Sequence, residues 1–182
     1  MSFARVRALV VVGVLAVIAM VFVGITLVRD TQAGKEVASD CQEGDKLADT
    51  RLRQSKDIKI NVYNGTDVVG QANTLKTDFQ NRQFKVLKAG DAPKKVKGID
   101  EAVAILRYGP KGVGSYQVLR AYFLNEAQPE FQLEREDDTV DVIIGGEFKQ
   151  LATITEVNQA LSQRDPESTQ LPPRTCADPN LR

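Results

Sequence analysis

The longest apolar run of the chain lies near its N-terminus. Residues 8–28 read ALVVVGVLAVIAMVFVGITLV and contain no charged side chain. A helix of this length rises about 30 Å, which is the thickness of a bilayer core. Arg5 and Arg7 precede the run, and basic flanks favour the cytoplasmic side of a membrane. The pattern predicts a single-pass protein of the plasma membrane: a cytoplasmic N-terminus over residues 1–7, a transmembrane helix over residues 8–28 and an extracytoplasmic remainder.

A cleaved signal peptide is the alternative interpretation of the same run. Residues 31–33 loosely fit the small-residue pattern of a cleavage site. The apolar core of a secretory signal usually spans about 7–15 residues, which is shorter than this run. We therefore expect the anchor to be retained, and the sequence leaves cleavage after Ala33 open.

Three regions of different character follow the apolar run. Residues 29–56 are polar and predict an extracytoplasmic stalk, with one helical turn around residues 46–53. Residues 57–163 have the periodic apolar positions of a folded domain. Residues 164–182 hold four of the seven prolines and predict an extended tail on the surface.

The domain over residues 57–163 contains a weak internal repeat. The first unit reads IKINVYNG, VVGQANTLKTDFQNRQ and FKVLKAG, and the second reads AVAILRYG, VGSYQVLRAYFLNEAQ and EFQLERE. Each unit has the pattern of a strand, a glycine turn, a helix and a second strand. In the helices, apolar residues recur at i, i+3 and i+7 on one face: Ala72, Leu75 and Phe79 in the first, Tyr116, Leu119 and Phe123 in the second.

A further strand and helix complete the domain. Residues 139–146 are rich in β-branched side chains and predict a strand, and residues 153–163 predict a short closing helix. Helices that cross between strands produce layers, because each helix must bury its apolar face on the sheet. The pattern predicts an α/β fold in which two β-α-β units form a mixed sheet with helices packed on it.

The two cysteines lie on either side of the domain. Cys41 follows the apolar run, and Cys176 lies near the C-terminus, 135 residues away. An even cysteine count in an extracytoplasmic chain favours a disulfide, because unpaired thiols rarely persist where disulfides form. Two free thiols in flexible ends are the alternative. No C-x-x-C spacing is present, so the sequence does not indicate a redox site.

The first glycine turn lies where phosphate-binding loops lie, between a strand and a helix. Gly65 and Gly70 match the outer glycines of G-x-x-x-x-G-K-[ST]. Gln71 and Ala72 stand where that motif requires Lys and then Ser or Thr, the residues that contact the phosphates and Mg²⁺. We therefore predict no nucleotide site, and we expect the glycines to serve the turn itself.

The second unit repeats this glycine turn in residues 108–115, YGPKGVGS. If the two units pack as pseudo-symmetric halves, both turns follow the carboxyl ends of strands and line one cleft, where α/β sheets often bind ligands. The candidate ligand or turn residues are Asn64, Gly65, Thr66 and Gly70 in the first turn and Gly109, Lys111 and Gly112 in the second.

Composition narrows the chemistry further. The chain has no His and no Trp, and its formal net charge is zero. The side chain that most often serves as general base and metal ligand is therefore missing, which argues against hydrolase and zinc chemistry. The charge balance does not indicate nucleic-acid binding. We predict no catalytic residue, no metal site and no cofactor; an unrecognised enzyme would have to use Asp141 or Glu147.

Two charged stretches add weaker candidates. Residues 93–98 read PKKVKG, a basic loop that suits anionic wall polymer or lipid head groups. Residues 134–141 read EREDDTVD, an acidic stretch that would attract a divalent cation. The acidic stretch lacks the Gly and the ligand spacing of a calcium loop. We expect both stretches to be solvated surface charge.

Three stretches of the domain form a recognisable set: INVYNGT, GQANTLKTDFQNRQFKV and VDVIIGGEF. The set resembles the LytR C-terminal domain family over about residues 57–150. That family has an N-G-T or N-G-S turn after its first strand, a G-x-A helix start, a G-F-x-V strand and a late V-x-V-x-x-G strand. Gln83 stands where the family usually has Gly, at a tight helix end. The matching residues are Asn64, Gly65, Thr66, Gly70, Ala72, Phe84, Val86, Val140, Val142 and Gly145.

The resemblance implies an envelope location and no enzymatic activity. In larger LytR-CpsA-Psr proteins this domain follows a catalytic domain that transfers glycopolymers onto peptidoglycan, and residues 29–56 are too few to hold one. One anchor, this domain and a cysteine on each side resemble an actinobacterial branch of envelope integrity proteins. The resemblance implies a protein that binds cell-wall glycan or envelope partner proteins. An accessory subunit acting in trans with a LytR-CpsA-Psr transferase is the alternative.

Overall fold

The structure is a computed structural model that describes residues 13–20, 41–92, 96–163 and 170–178. The chain divides into two compact units, Met1–Ala38 and Ser39–Arg182. In the first unit, residues 13–20 are helical and exposed, and the rest of the predicted span over residues 8–28 lies outside the described residues, as does Ala33. Within the described ranges, no helix is long and apolar enough to cross a membrane.

The second unit alternates short strands and helices. A short 3₁₀ turn over Pro110–Gly112 precedes the second helix. The strands and α-helices described for this unit are β1 (Lys46–Ala48), β2 (Lys59–Asn64), α1 (Gln71–Asn81), β3 (Lys85–Asp91), β4 (Ala104–Tyr108), α2 (Val113–Ala121), β5 (Gln128–Phe131), β6 (Val140–Ile144), α3 (Ile154–Ser162) and β7 (Thr175–Ala177).

Five of these strands form one mixed sheet in the order β3-β2-β6-β4-β5. Strands β2 and β3 are parallel and are joined through α1, and strands β4 and β5 are parallel and are joined through α2. The two predicted β-α-β units and the mixed sheet are therefore confirmed. Strand β6 lies between the units, parallel to β2 and antiparallel to β4. The two units consequently run in opposite directions across the sheet.

The main core lies between the helices and one face of the sheet. Helix α1 contributes the predicted stripe, with Ala72, Leu75 and Phe79 all buried. In the second unit Phe123 is buried as predicted, although α2 ends two residues earlier at Ala121. Alternate strand residues supply the sheet side of this core: Ile60, Val62, Ala104, Leu106, Tyr108, Val140, Val142 and Ile144.

The opposite face of the sheet is covered in part by the segment that follows β3. Ile99 and Ala102 from this segment form a second, smaller cluster with Ile105 of β4 and Ile143 of β6. The other outward-facing residues of the central strands are polar. One face of the sheet therefore carries the helices, and the other carries a small apolar patch beside polar side chains.

Strand β5 lies two residues earlier than the sequence predicted. We expected a strand over residues 130–136, but β5 spans Gln128–Phe131. Phe131 is its last residue and lies against Tyr108 in the core, with the ring centroids 5.6 Å apart. Pro129 is tolerated because β5 is an edge strand. The predicted strand was placed on the polar residues that follow, which turn back toward β6.

The prediction of a helical turn around residues 46–53 was wrong. Lys46–Ala48 form strand β1, which pairs in parallel with Thr175–Ala177 of strand β7. The predicted disulfide between Cys41 and Cys176 is confirmed, and it lies beside this pair. A pairing between segments so far apart in the chain leaves no local periodicity to detect. Of the predicted tail, residues 164–169 and 179–182 lie outside the described residues.

Candidate functional site

The first glycine turn is held together by its own side chains. The buried Asn64 side chain donates to the Val68 carbonyl at 2.7 Å, and its Oδ1 accepts from the Thr66 backbone N–H at 3.1 Å. Thr66 Oγ1 in turn accepts from the Val68 N–H at 3.2 Å. These bonds close an Asx-type turn in which the polar atoms of Asn64 and Thr66 serve each other and the backbone. The arrangement supports the structural role that the sequence suggested.

Positions 65 and 70 of this turn require glycine for different reasons. A Cβ at Gly65 would lie 2.7 Å from the Ile144 carbonyl oxygen and 2.5 Å from an Ile99 side-chain atom, so only glycine fits this close approach. Gly70 precedes α1 with φ at +82°, a conformation that side chains rarely adopt. Both glycines are explained by backbone geometry without a ligand.

The second glycine turn is covered by the segment that follows β1. The Asp49 N–H donates to the Pro110 carbonyl at 3.0 Å, and the Gly114 N–H donates to the Asp49 carbonyl at 2.8 Å. A Cβ at Gly114 would lie 1.8 Å from the Arg51 carbonyl oxygen. The first turn of α2 is therefore capped by protein backbone. Lys111 remains exposed, with no ion-pair partner in the described part of the chain.

The remaining residues of this turn pack closely as well. A Cβ at Gly109 would meet the Arg135 carbonyl oxygen at 2.5 Å, and one at Gly112 would lie 3.2 Å from the Tyr108 Cβ. The turn therefore lies between the loop that carries Arg135 and the segment that follows β1.

The expectation that both turns line one cleft is wrong. Asn64, at the end of β2, pairs with Ile144, which also pairs with Ala104 at the start of β4. Since β2 and β4 run in opposite directions, the turn after Tyr108 and the turn after Asn64 lie at opposite ends of the strands. The two units flank β6 and run in opposite directions, and this places their glycine turns at opposite ends of the strands.

A charged cleft lies beside the second turn. It has a volume of about 520 Å³. Asp49 is 4% exposed and pairs with Arg51 at 3.1 Å and with Arg53 at 2.6 Å. Burial alone would raise the pKa of the Asp49 carboxyl, but the hydrogen bonds from the two arginines hold it below its usual value. The residues that line the charged cleft are Leu47, Asp49, Arg51, Arg53, Lys111, Glu136, Asp137, Asp138 and Asp178.

The acidic stretch over residues 134–141 is largely neutralised by basic side chains. Glu134 pairs with Lys46, Asp138 pairs with Lys59 and Arg53, and Asp141 pairs with Arg135. In the described ranges, no group of three or more potential metal-ligating side chains is arranged to hold a metal ion. Of the basic loop over residues 93–98, residues 93–95 lie outside the described residues.

A second cleft of about 470 Å³ lies at the first turn. It is formed by the turn itself and by the chain on either side of the basic loop. Three of its side chains are carboxylates, and none of the lining residues that the structure describes is basic. The lining residues are Asn64, Gly65, Thr66, Asp67, Asp91, Ala92, Val96 and Asp100.

A line of polar side chains crosses the sheet on the face opposite the helices. The strand registers place Lys88 beside Asn61, Asn61 beside Asp141, Asp141 beside Arg107, and Arg107 beside Glu130. Each of the five strands contributes one residue. We call these five residues the transverse row. The sequence signal was a polar residue at an outward position in each strand, which becomes visible only once the registers are known.

Ion pairs and hydrogen bonds fix the transverse row. Asn61 Nδ2 donates to Asp141 Oδ1 at 2.8 Å, and Arg107 donates to both Glu130 oxygens at 2.8 and 3.1 Å. Arg135, from the loop before β6, donates to both Asp141 oxygens at 2.8 and 3.2 Å. Burial alone would lower the pKa of the Arg135 guanidinium, but its bond to Asp141 raises it above its usual value. Four of the five row residues are therefore held in place, whereas Lys88 is exposed and has no ion-pair partner in the described part of the chain.

Tyr63 lies next to the row on the same face. It pairs in register with Ile143, one position nearer the apolar patch. Burial, and then the negative charge of Asp141, raise the pKa of the Tyr63 phenol. In the described part of the chain, its hydroxyl makes no hydrogen bond. The row is thus flanked by an aromatic side chain that is partly open to solvent.

Asp141 and Glu147, the residues named for an enzymatic alternative, have separate environments. Asp141 accepts hydrogen bonds from Arg135 and Asn61, whereas Glu147 is exposed beyond the far end of β6. Asp141 is therefore committed to an ion pair, and the two carboxylates do not form a catalytic pair.

Comparison with known proteins identifies the family. Residues 57–148 match the family described as LytR cell envelope-related transcriptional attenuator. The chain belongs to this family. Every strand of the five-stranded sheet lies within the matched residues, and so do both glycine turns and the transverse row.

A solved structure supports the fold of this LytR-family chain. It is the soluble domain of a conserved hypothetical secreted protein from Mycobacterium marinum, with 24% sequence identity and a TM-score of 0.54. The alignment covers 73% of this chain and 85% of that one. None of the curated proteins matches the LytR-family chain significantly in sequence. The similarity to the mycobacterial domain establishes a shared fold.

Proposed function

We propose that the protein is a membrane-anchored, extracytoplasmic component of the cell envelope. Its outer domain binds cell-wall glycan or envelope partner proteins and supports envelope integrity without catalysing a reaction. The anchor is the predicted helix over residues 8–28. The observation that carries the proposal is membership of the LytR cell envelope-related family over residues 57–148.

Two further observations support the location and the role. The disulfide between Cys41 and Cys176 suits an oxidising compartment outside the cytoplasm. Asp141 is bound by an arginine and Asn64 by its own turn, so neither side chain is placed as a free general base. A binding role agrees with both.

Deletion of the gene in its host tests the proposal. The expected result is increased permeability of the envelope to a dye and increased sensitivity to large antibiotics, both restored by the full-length chain. A matched strain should express a chain in which a cleavable signal peptide replaces residues 8–28. This chain should restore normal permeability and antibiotic resistance only poorly. Normal permeability in the deletion strain would contradict the proposal. Crosslinking to a glycopolymer transferase would instead assign the accessory role.

A further inference from the structure

We propose that the transverse row is the surface on which the domain binds a neutral glycan strand, lying across the β-strands. This inference deepens the proposed function and rests on it. Neighbouring strands lie about 4.8 Å apart, so four intervals give the row a length of about 19 Å. A linear ligand of several units fits such a row better than a single small molecule does.

The charges of the row favour a neutral ligand. Lys88 and Arg107 are balanced by Asp141 and Glu130, and Asn61 is uncharged, so the row carries no net charge. Arg107 is bound to Glu130 through both carboxylate oxygens, and 23% of its side chain is exposed. Lys88 is the one cation of the row with no ion-pair partner in the described part of the chain. A polyanion would therefore have a single cation to bind, and it would have to approach two fixed carboxylates.

The hydrogen-bonding pattern suits hydroxyl and amide groups. Donors on Lys88, Asn61 and Arg107 and acceptors on Asp141 and Glu130 lie side by side along the row. Sugar hydroxyls both donate and accept, so each can bridge a donor and an acceptor on adjacent strands. A peptide strand would instead need an open backbone edge, which the centre of a sheet does not offer.

One atom of the row lacks the partner that its position requires. Asn61 Oδ1 is buried and accepts no hydrogen bond, although Nδ2 of the same amide binds Asp141 at 2.8 Å. An unpaired buried acceptor is costly, and native structures contain few of them. This oxygen lies beneath the surface of the row, so a ligand hydroxyl or N-acetyl N–H reaches it only if the side chains above it move on binding.

The borders of the row also fit a carbohydrate. On one side lies Tyr63, which combines an apolar ring with a hydroxyl that makes no hydrogen bond in the described part of the chain. Beyond Tyr63, the segment with Ile99 and Ala102 covers the sheet. On the other side, Arg135 covers Asp141 and also approaches the Arg107 carbonyl at 3.5 Å. The ligand would therefore lie between an aromatic border and an arginine border.

Binding by the full-length chain in mild detergent tests the inference, with isolated sacculi and an N-acetylglucosamine hexamer as probes. The row variants are Arg107→Gln and Lys88→Gln. The control for Arg107→Gln is Arg51→Gln, because Arg51 is also paired with a carboxylate. The control for Lys88→Gln is Lys111→Gln, because Lys111 is also exposed and has no ion-pair partner in the described part. Lys88 is exposed, so its variant should fold even if the Arg107 variant does not.

The wild-type chain is expected to bind both probes, with little change between about 0.05 and 0.5 M salt, since a neutral ligand is not screened. Arg107→Gln should weaken binding about ten-fold, the usual effect of losing a charged hydrogen bond. Lys88→Gln should weaken it by a smaller factor, and both controls should bind as wild type does.

Three results would overturn the inference. If the wild type binds sacculi and both row variants bind equally well, another surface binds the wall and the proposed function stands. If the wild type binds sacculi at low salt, releases them at high salt and does not bind the hexamer, the ligand is an anionic polymer of the wall. If the wild type binds neither sacculi nor the hexamer, glycan is not the ligand; the deletion phenotype then decides separately whether the envelope role holds.

Discussion

At the scale of single residues, Gln83 occupies a backbone conformation that glycine would adopt more easily. Helix α1 ends at Asn81, and Gln83 follows with φ at +70°. The Phe84 N–H then donates to the Phe79 carbonyl at 3.0 Å, as in a Schellman-type helix end. The family resemblance had marked this position as a departure from Gly. The structure shows that the departure costs backbone strain.

Gln83→Gly is therefore expected to stabilise the protein by about 1 kcal/mol, because glycine adopts positive φ without a steric penalty. The measurement is the urea unfolding midpoint. Gln80→Gly is the matched control: Gln80 is exposed inside α1, where glycine should instead destabilise by about 1 kcal/mol. Equal destabilisation by both variants would show that the Gln83 backbone is not strained.

Asp49→Asn should destabilise the protein by about 2 kcal/mol at neutral pH, since it removes charged hydrogen bonds from Arg51 and Arg53. The effect should depend on pH. The pKa of Asp49 is lowered from 3.8 in the folded protein, so its stabilising contribution is present above about pH 4 and is lost as the pH falls further. Unfolding free energies of both proteins from pH 7 to pH 3 test this.

The difference between wild type and Asp49→Asn should stay constant above about pH 4 and shrink below it. Asp67→Asn is a suitable control, because Asp67 is exposed and has no ion-pair partner in the described part. A difference that does not change with pH would mean that the Asp49 charge contributes nothing to folding.

Residue-level predictions from the sequence succeeded where the reason was local. Asn64, Gly65 and Thr66 were predicted to form a turn, and their side-chain bonds all lie within a few residues. The transverse row was missed because its residues come from five different strands, and a single sequence holds no sign of which residue meets which. Asp49 was missed although Arg51 and Arg53 are close to it in sequence, because the turn that buries it, at Pro110 and Gly114, lies far along the chain.

At the scale of elements, helix α3 shows how much a terminus depends on its own residues. Thr153 caps α3: its hydroxyl accepts from the Glu156 N–H at 3.4 Å, and the Glu156 carboxylate accepts from the Thr153 N–H at 2.7 Å. This is a capping box. Val157 is the one residue of α3 that is fully buried. A helix with so little burial relies on its cap.

Thr153→Ala should destabilise the protein by about 1 kcal/mol, the usual cost of losing an N-cap. Hydrogen exchange should show the loss concentrated in α3. Thr77→Ala, at an exposed interior position of α1, serves as control and should change stability by less than about 0.5 kcal/mol. Uniform exchange across the domain in Thr153→Ala would argue against a local role for the cap.

Helices and strands were predicted best where the periodic apolar positions continued over many residues. The apolar period of 3.6 predicted the helices over residues 71–81 and 154–162. The period of 2 predicted strands β2, β3, β4 and β6. Strand β5 was misplaced because Pro129 made its true position look like a loop. Strand β1 was missed because three residues carry no period at all.

At the scale of the whole molecule, the disulfide joins the beginning and the end of the second unit. Cys41 and Cys176 are 135 residues apart and lie beside the pair formed by β1 and β7. Two strands of three residues each would be marginal alone in water. The bond keeps them together, and through them it keeps Asp49 over the first turn of α2.

Replacing both Cys41 and Cys176 with Ser is expected to lower the unfolding free energy by about 3 kcal/mol, within the usual range for lost disulfides. Chemical denaturation with and without reductant is the measurement. Reductant should shift the wild-type midpoint to that of the double variant and leave the variant unchanged. Identical midpoints for oxidised wild type and variant would show that the β1–β7 pair holds without the bond.

The same bond also decides how the domain responds to mechanical force. Tension applied to the chain before Cys41 and after Cys176 passes directly through the two sulfur atoms. The sheet, its helices and the transverse row all lie inside the covalent ring that this bond closes. A pull on the two ends of the polypeptide therefore stretches the flanking chain but cannot unravel the fold. Whenever the flanking chain is under tension, this ring keeps the folded domain out of the path of the load.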